Sequence, residues 1–289
     1  MNTLKNDYIE ISIKDIGAEL TSIKANGKEY LWQGDVNFWG GQAPILFPFV
    51  GRLKNDIYFY KGKSYSLPQH GFFRRSNDIQ LIHKSDNKLS FSLKSSKATL
   101  EKYPFEFEFI TSYEIEENKI TIHHKVINTG KEKMYFSIGE HPAFNCSLTN
   151  PNENYSNCFL EFEKNETALT HLINDGLIGN ETEIILQNQK ILELHKNSFD
   201  KDALVIKKMN SKKATLVNKN EGKLVSLHYE GFPLLGIWSK PNAPFVCIEP
   251  WLGIADSVET TQKIEDKEGI ILLEKGKEFN CSYSIEVHI

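Results

Sequence analysis

Short runs in which apolar and polar residues alternate, each soon closed off by a glycine or asparagine, restrict the fold of this chain more than any other feature. Residues 8–13, 88–93 and 105–109 all carry the pattern. A period of two sends alternate side chains to opposite faces of an extended strand, so each run predicts a strand with one buried face. Between residues 113–115 and 120–127 lies the polar stretch Glu116-Glu117-Asn118-Lys119, which predicts a tight hairpin and therefore antiparallel pairing. Breakers recur at Asn26-Gly27, Lys61-Gly62, Asn128-Thr129-Gly130, Asn220-Glu221-Gly222 and Glu274-Lys275-Gly276. Helical periodicity is scarce, the best candidate being residues 98–102, just ahead of Pro104. Many short strands with almost no helix predict an all-β chain, folded as a large antiparallel β-sandwich.

A chain of 289 residues is long enough for two average domains, but β-sandwiches of that size also form one. No linker rich in Pro, Gly or Ser and no fixed-period repeat divides it, and the polar stretch 150–157 is too short to do so. A single domain spanning residues 1–289 is expected. The formal charge of −4 comes from acids and lysines scattered along the chain, without the basic stripe that neutralises phosphates, so nucleic acid is not an expected partner. The first residues lack an apolar signal core, and no run approaches the roughly 18 apolar residues of a membrane span. These features predict a cytoplasmic protein with no membrane partner. Cys146, Cys158, Cys247 and Cys281 are widely separated, with no C-x-x-C spacing, and are expected to be reduced thiols. Neither a metal-ligand spacing of histidines nor a G-x-S-x-G turn is present, so no metal and no serine nucleophile are expected.

Against this background, charged residues set in apolar or stiff surroundings stand out. Glu140-His141 lies in the run Phe136-Ser137-Ile138-Gly139-Glu140-His141-Pro142-Ala143-Phe144, which reads as a strand ending in a turn. Glu249 is the only charge in the run from Phe245 to Trp251. An imidazole and a carboxyl, each on rigid apolar backing, are candidates for proton transfer. Arg52 ends an apolar segment stiffened by Pro44 and Pro48, from which its guanidinium can reach sugar hydroxyls or fork onto a carboxylate. His70 precedes Gly71, which permits close backbone approach, and Arg74 and Arg75 follow. Asp200 and Asp202 stand just before the apolar stretch that starts at Ala203. Each island also has a plainer reading: a buried histidine satisfied by hydrogen bonds, an arginine in a structural ion pair, an aspartate closing a turn. His123 and His124 alternate in a strand, so one of them is expected to face the core, and neither is read as functional.

Taken together and in order, Gly51-Arg52, Gln69-His70-Gly71, Gly139-Glu140-His141-Pro142 with Phe144-Asn145, the Asp202 region and Glu249-Pro250-Trp251 resemble the aldose 1-epimerase (galactose mutarotase) family, in its LacX-like branch. The resemblance implies a β-supersandwich, in agreement with the strand pattern. It implies His141 as general acid and Glu249 as general base, with Arg52, His70 and Asp202 or Asp200 binding the sugar. It implies interconversion of the α and β anomers of an aldohexose, galactose or glucose, with no cofactor.

The chemistry needs an acid and a base because ring opening removes the proton from the C1 hydroxyl while the ring oxygen receives one. Rotation about C1–C2 then exposes the other face of the aldehyde, and closure runs the same steps backwards. The two groups are expected on opposite sides of the hemiacetal. Arg74 and Arg75 suggest a hexose-6-phosphate mutarotase as an alternative, since guanidinium forks suit phosphate. A non-catalytic carbohydrate-binding protein is a further alternative, although a binder needs no acid–base pair. Monomer and homodimer are both compatible with the sequence.

Overall fold

A computed structural model describes all 289 residues, and they form an almost entirely antiparallel β-structure. Fifteen strands make one sheet, four N-terminal strands make a second, and two small two-stranded sheets complete the fold. The expected hairpin is present as Phe107–Glu116 and Lys119–Asn128, in register from Phe107↔Asn128 to Glu116↔Lys119. The run 88–93 lies in the strand Lys88–Lys94, and the helix candidate is a single turn, Lys97–Leu100, closed by a Ser96/Thr99 capping box.

A sheet of this width does not stay flat. Its inner face and that of the N-terminal sheet share one core of 65 buried apolar residues, which includes Ile11, Ile13 and Ile23 from one sheet and Phe107, Phe109 and Tyr113 from the other. The Tyr113 hydroxyl donates to the Ala18 carbonyl at 2.6 Å, tying the large sheet to the N-terminal segment. In Lys119–Asn128 the inward register runs Ile120, Ile122, His124, Val126. His124 is therefore the buried member of the histidine pair, and His123 is exposed. The His124 Nε2 lies 2.7 Å from Glu140 Oε1, and Tyr283 donates to Glu140 Oε2 at 2.9 Å. Burial raises the Glu140 pKa, and the adjacent His124 opposes that rise.

The edge of the large sheet that matters for function contains Ile138–Glu140, Phe245–Leu252, Leu234–Trp238, Leu204–Lys207 and Cys158–Asn174 as successive neighbours. Phe245–Leu252 is buried on both faces, which is why its sequence is nearly all apolar. Val246 and Ile248 point into the main core, while Phe245, Cys247, Glu249 and Trp251 share the opposite face.

Candidate active site

The face that carries Glu249 forms the floor of a cavity of about 920 Å³, within the roughly 300–1,000 Å³ range of small-molecule sites. Strand residues Glu249, Trp251, Trp238, Val205 and Ile173 line it together with loop residues His70, His141 and Asp202 and with Arg74 from the 3-10 turn Phe73–Arg75. Trp251 lies flat across its neighbours because Gly139 and Gly236 flank it. A Cβ on Gly139 would approach the indole to 2.7 Å, and one on Gly236 to 2.5 Å. Small residues on both adjoining strands are thus what let an aromatic floor form.

His141 follows the strand Ile138–Glu140 and turns to the cavity, whereas Glu140, one residue earlier, turns into the core. Trp39 stacks on the His141 ring with centroids 4.8 Å apart, and Trp238 meets it edge-on at 5.7 Å. The imidazole Nε2 lies 3.3 Å from Glu249 Oε2. Sequence reasoning expected the acid and base on opposite sides of a sugar; they stand side by side. The physical reason is that the segment just after His141 pairs with the strand that carries Glu249, Ala143 opposite Cys247.

Burial pushes both members of the pair toward their uncharged forms. The His141 pKa is held down to about 3, first by desolvation and then by the Arg74 charge. Desolvation lifts Glu249 well above the carboxylate range; the Trp251 indole and Arg74 oppose the lift, and Asp202 adds to it. Three buried polar atoms here, His141 Nδ1, Glu249 Oε2 and Trp251 Nε1, have no hydrogen-bond partner. An unsatisfied buried polar group costs about 1–3 kcal/mol, which a ligand bearing hydroxyls recovers by pairing with it.

His70 is fixed by reciprocal bonds with Gly51: its backbone N–H donates to the Gly51 carbonyl at 2.9 Å, and Gly51 N–H donates to Nδ1 at 3.1 Å. Accepting at Nδ1 places the ring proton on Nε2. Desolvation keeps the ring well below the usual histidine range, and His141, Arg74 and Arg75 reinforce the effect.

The two arginine positions exchange prominence relative to the sequence reading. Arg52 is not among the residues lining the cavity. Its Nε lies 3.4 Å from Asp56 Oδ1, and its Nη1 lies 3.2 Å from Asp175 Oδ1 and 3.1 Å from the Asp175 carbonyl. Of the two partners considered for it, carboxylates hold it in this state. Arg74 does line the cavity, half-buried, with no hydrogen bond or ion pair to its guanidinium, while exposed Arg75 donates to the Gly71 carbonyl at 3.3 Å. Both Asp200 and Asp202 line the cavity, but Asp202 is the one whose charge reaches Glu249. Asp202 also closes its own turn, accepting from Ala203 N–H at 2.7 Å.

Sequence reading missed the tip of the hairpin Cys158–Asn174/Leu177–Glu193, where Asp175 and Gly176 reach the cavity. The Asp175-Gly176 dipeptide between two alternating runs was its signal. Trp238 carried no local signal, because its contact with His141 depends on strand order.

A large antiparallel β-sandwich of this kind is the fold of galactose mutarotase-like proteins. The Aldose 1-epimerase family model matches residues 1–286, and the chain belongs to the aldose 1-epimerase family. Protein LacX of Lactococcus lactis subsp. lactis, plasmid and chromosomal, is 36% identical over 275 residues, 91% of each protein. The galactose mutarotase related enzyme of Lactobacillus acidophilus superposes with a TM-score of 0.94 at 34% identity, covering 100% of this chain and 97% of that one. A galactose mutarotase-like protein of Lactobacillus casei ATCC 334 gives 0.92 at 30% identity, covering 100% of both chains. No helix is long and apolar enough to cross a membrane.

Proposed function

We propose that this enzyme interconverts the α and β anomers of an aldohexose by acid–base ring opening and closure, without a cofactor. The observation that carries the reading is the 3.3 Å approach of His141 Nε2 to Glu249 Oε2 at the floor of a cavity large enough for a sugar. Glu249 takes the C1 hydroxyl proton and His141 delivers one to the ring oxygen, with His70 Nε2–H and Asp202 holding ring hydroxyls.

Charge bookkeeping is consistent with these roles. Burial favours the neutral carboxyl and the neutral imidazole, so a proton held by the pair rests on Glu249 rather than on His141. Passing that proton from Glu249 to His141 creates the carboxylate base and the imidazolium acid without exchange with solvent. The Arg74 charge favours the carboxylate and disfavours the imidazolium, so the transfer is uphill until sugar hydroxyls pair with the carboxylate. Polarimetry on fresh α-glucose or α-galactose tests the reading. Glu249→Gln and His141→Ala should each slow anomer exchange by about 10²–10⁴-fold, and the acid limb of the wild-type kcat/KM profile should lie well below the usual histidine range. Rates that survive both substitutions would remove the mechanism.

A second reading, a hexose 6-phosphate as substrate, is favoured by one observation. Arg74, Arg75 and Lys240 line the same cavity, and the Arg74 guanidinium is unpaired.

A further inference from the structure

A thiol, Cys247, lies beside the acid–base pair and has no part in the sugar chemistry. Cys247 and Glu249 are alternate residues of one strand, so their side chains leave the same face. His141 meets them because the segment just after it pairs with that strand, Ala143 opposite Cys247. A His141 ring nitrogen, the Cys247 Sγ and a Glu249 oxygen all lie within 4.8 Å of one another. All three residues are buried, and His141 Nδ1 and Glu249 Oε2 lack hydrogen-bond partners. Sequence spacing predicted no metal ligands, since the three come together only through strand pairing.

Nitrogen, sulfur and oxygen donors in one cluster are the set that zinc accepts. Tetrahedral zinc with bonds of about 2.0–2.3 Å places its ligand atoms roughly 3.3–3.8 Å apart. The His141 Nε2 to Glu249 Oε2 separation of 3.3 Å already matches one edge of that tetrahedron. Bringing the thiol to that range requires a closure of at most about 1.0–1.5 Å from the present 4.8 Å bound. Charge agrees as well: a thiolate and a carboxylate cancel the dication, so the nearby Arg74 faces a neutral site.

We propose that His141, Cys247 and Glu249 form a Zn²⁺ site whose fourth position opens to the cavity, and that zinc bound there blocks mutarotation. Binding replaces the thiol proton with a Zn–S bond and displaces any proton on Glu249, both going to solvent, while neutral His141 donates a lone pair. The electron pairs needed for proton transfer are then held by the metal. Metal binding stands independently of the proposed mutarotase activity; only the inhibition rests on it.

The test uses the full-length protein freed of metal with EDTA. Titration with Co²⁺ should produce a thiolate-to-cobalt charge-transfer band that saturates at one ion per chain and is displaced by Zn²⁺. Cys247→Ala and the near-isosteric Cys247→Ser should abolish the band, and Cys281→Ala should retain it. One equivalent of Zn²⁺ should slow anomer exchange at least tenfold in the wild type, reversibly with EDTA, and leave Cys247→Ala at its metal-free rate. No cobalt band in folded wild type, or a band that follows Cys281, would overturn the site. A cobalt band with undiminished mutarotation would overturn the inhibition, and a band in a protein with no metal-free activity would preserve the site while removing the mutarotase reading.

Discussion

Glu249 is a buried carboxyl whose ionisation works against the stability of the fold. Its ordinary carboxyl value is 4.5, and burial raises it well above that in the folded chain. A folded pKa above the unfolded one contributes stability that is complete below the unfolded value and is lost as pH rises through the folded value. Urea midpoints of the wild type should therefore fall as pH climbs above 4.5, and Glu249→Gln, which cannot ionise, should flatten that decline while slowing anomer exchange. An unchanged slope would show that the carboxyl is not the buried acid described. The arginines separate at the same scale. Arg74→Ala should raise KM at least tenfold, more for glucose 6-phosphate than for glucose, because it removes an unpaired guanidinium from the cavity. Arg52→Ala should change KM less, since its fork is engaged by Asp56 and Asp175; initial-rate kinetics with both sugars would reveal the opposite order. The sequence could show that Arg52 and Arg74 follow stiff or glycine-turned segments. Asp56 lies only four residues from Arg52, but the second carboxylate that captures it, Asp175, is far along the chain and could not be read from the local sequence.

At the scale of elements, the loop carrying His70 depends on backbone geometry that only glycine tolerates well. Gly71 has φ of +69°, and a Cβ there would come within 2.2 Å of the Phe47 carbonyl oxygen. Gly71→Ala should destabilise the fold by about 1–3 kcal/mol and weaken sugar binding, because His70 would lose its bonds to Gly51. Chemical denaturation and calorimetry with sugar check the two effects; a variant with wild-type stability would contradict the close contact. The motif Gln69-His70-Gly71 signalled a tight turn in sequence. Its partner at Phe47 was invisible there, since the parallel bridge Phe47↔Gly71 joins segments separated along the chain. The alternation in Phe245–Leu252 similarly told which side chains share a face, but not that His141 would meet them.

For the whole molecule, the shared core argues that both sheets unfold together, and we propose a single cooperative domain. Its four tryptophans make the test direct. Trp39, Trp238 and Trp251 line the cavity and Trp32 packs on Phe245, so tryptophan fluorescence reports the site while far-ultraviolet dichroism reports every strand. The two urea curves should coincide; separated midpoints would divide the molecule. By itself the sequence determined the strand periodicity, the antiparallel class and the charged islands, because these follow from local alternation and from residues within a few positions of each other. The tertiary structure alone decided that His141 and Glu249 stand side by side, that Arg74 faces the cavity while Arg52 pairs elsewhere, and that Cys247 adjoins the acid–base pair. Those outcomes depend on which strands become neighbours, as in Gly139↔Trp251, and such long-range pairing is chosen by packing of the whole core rather than by any one segment.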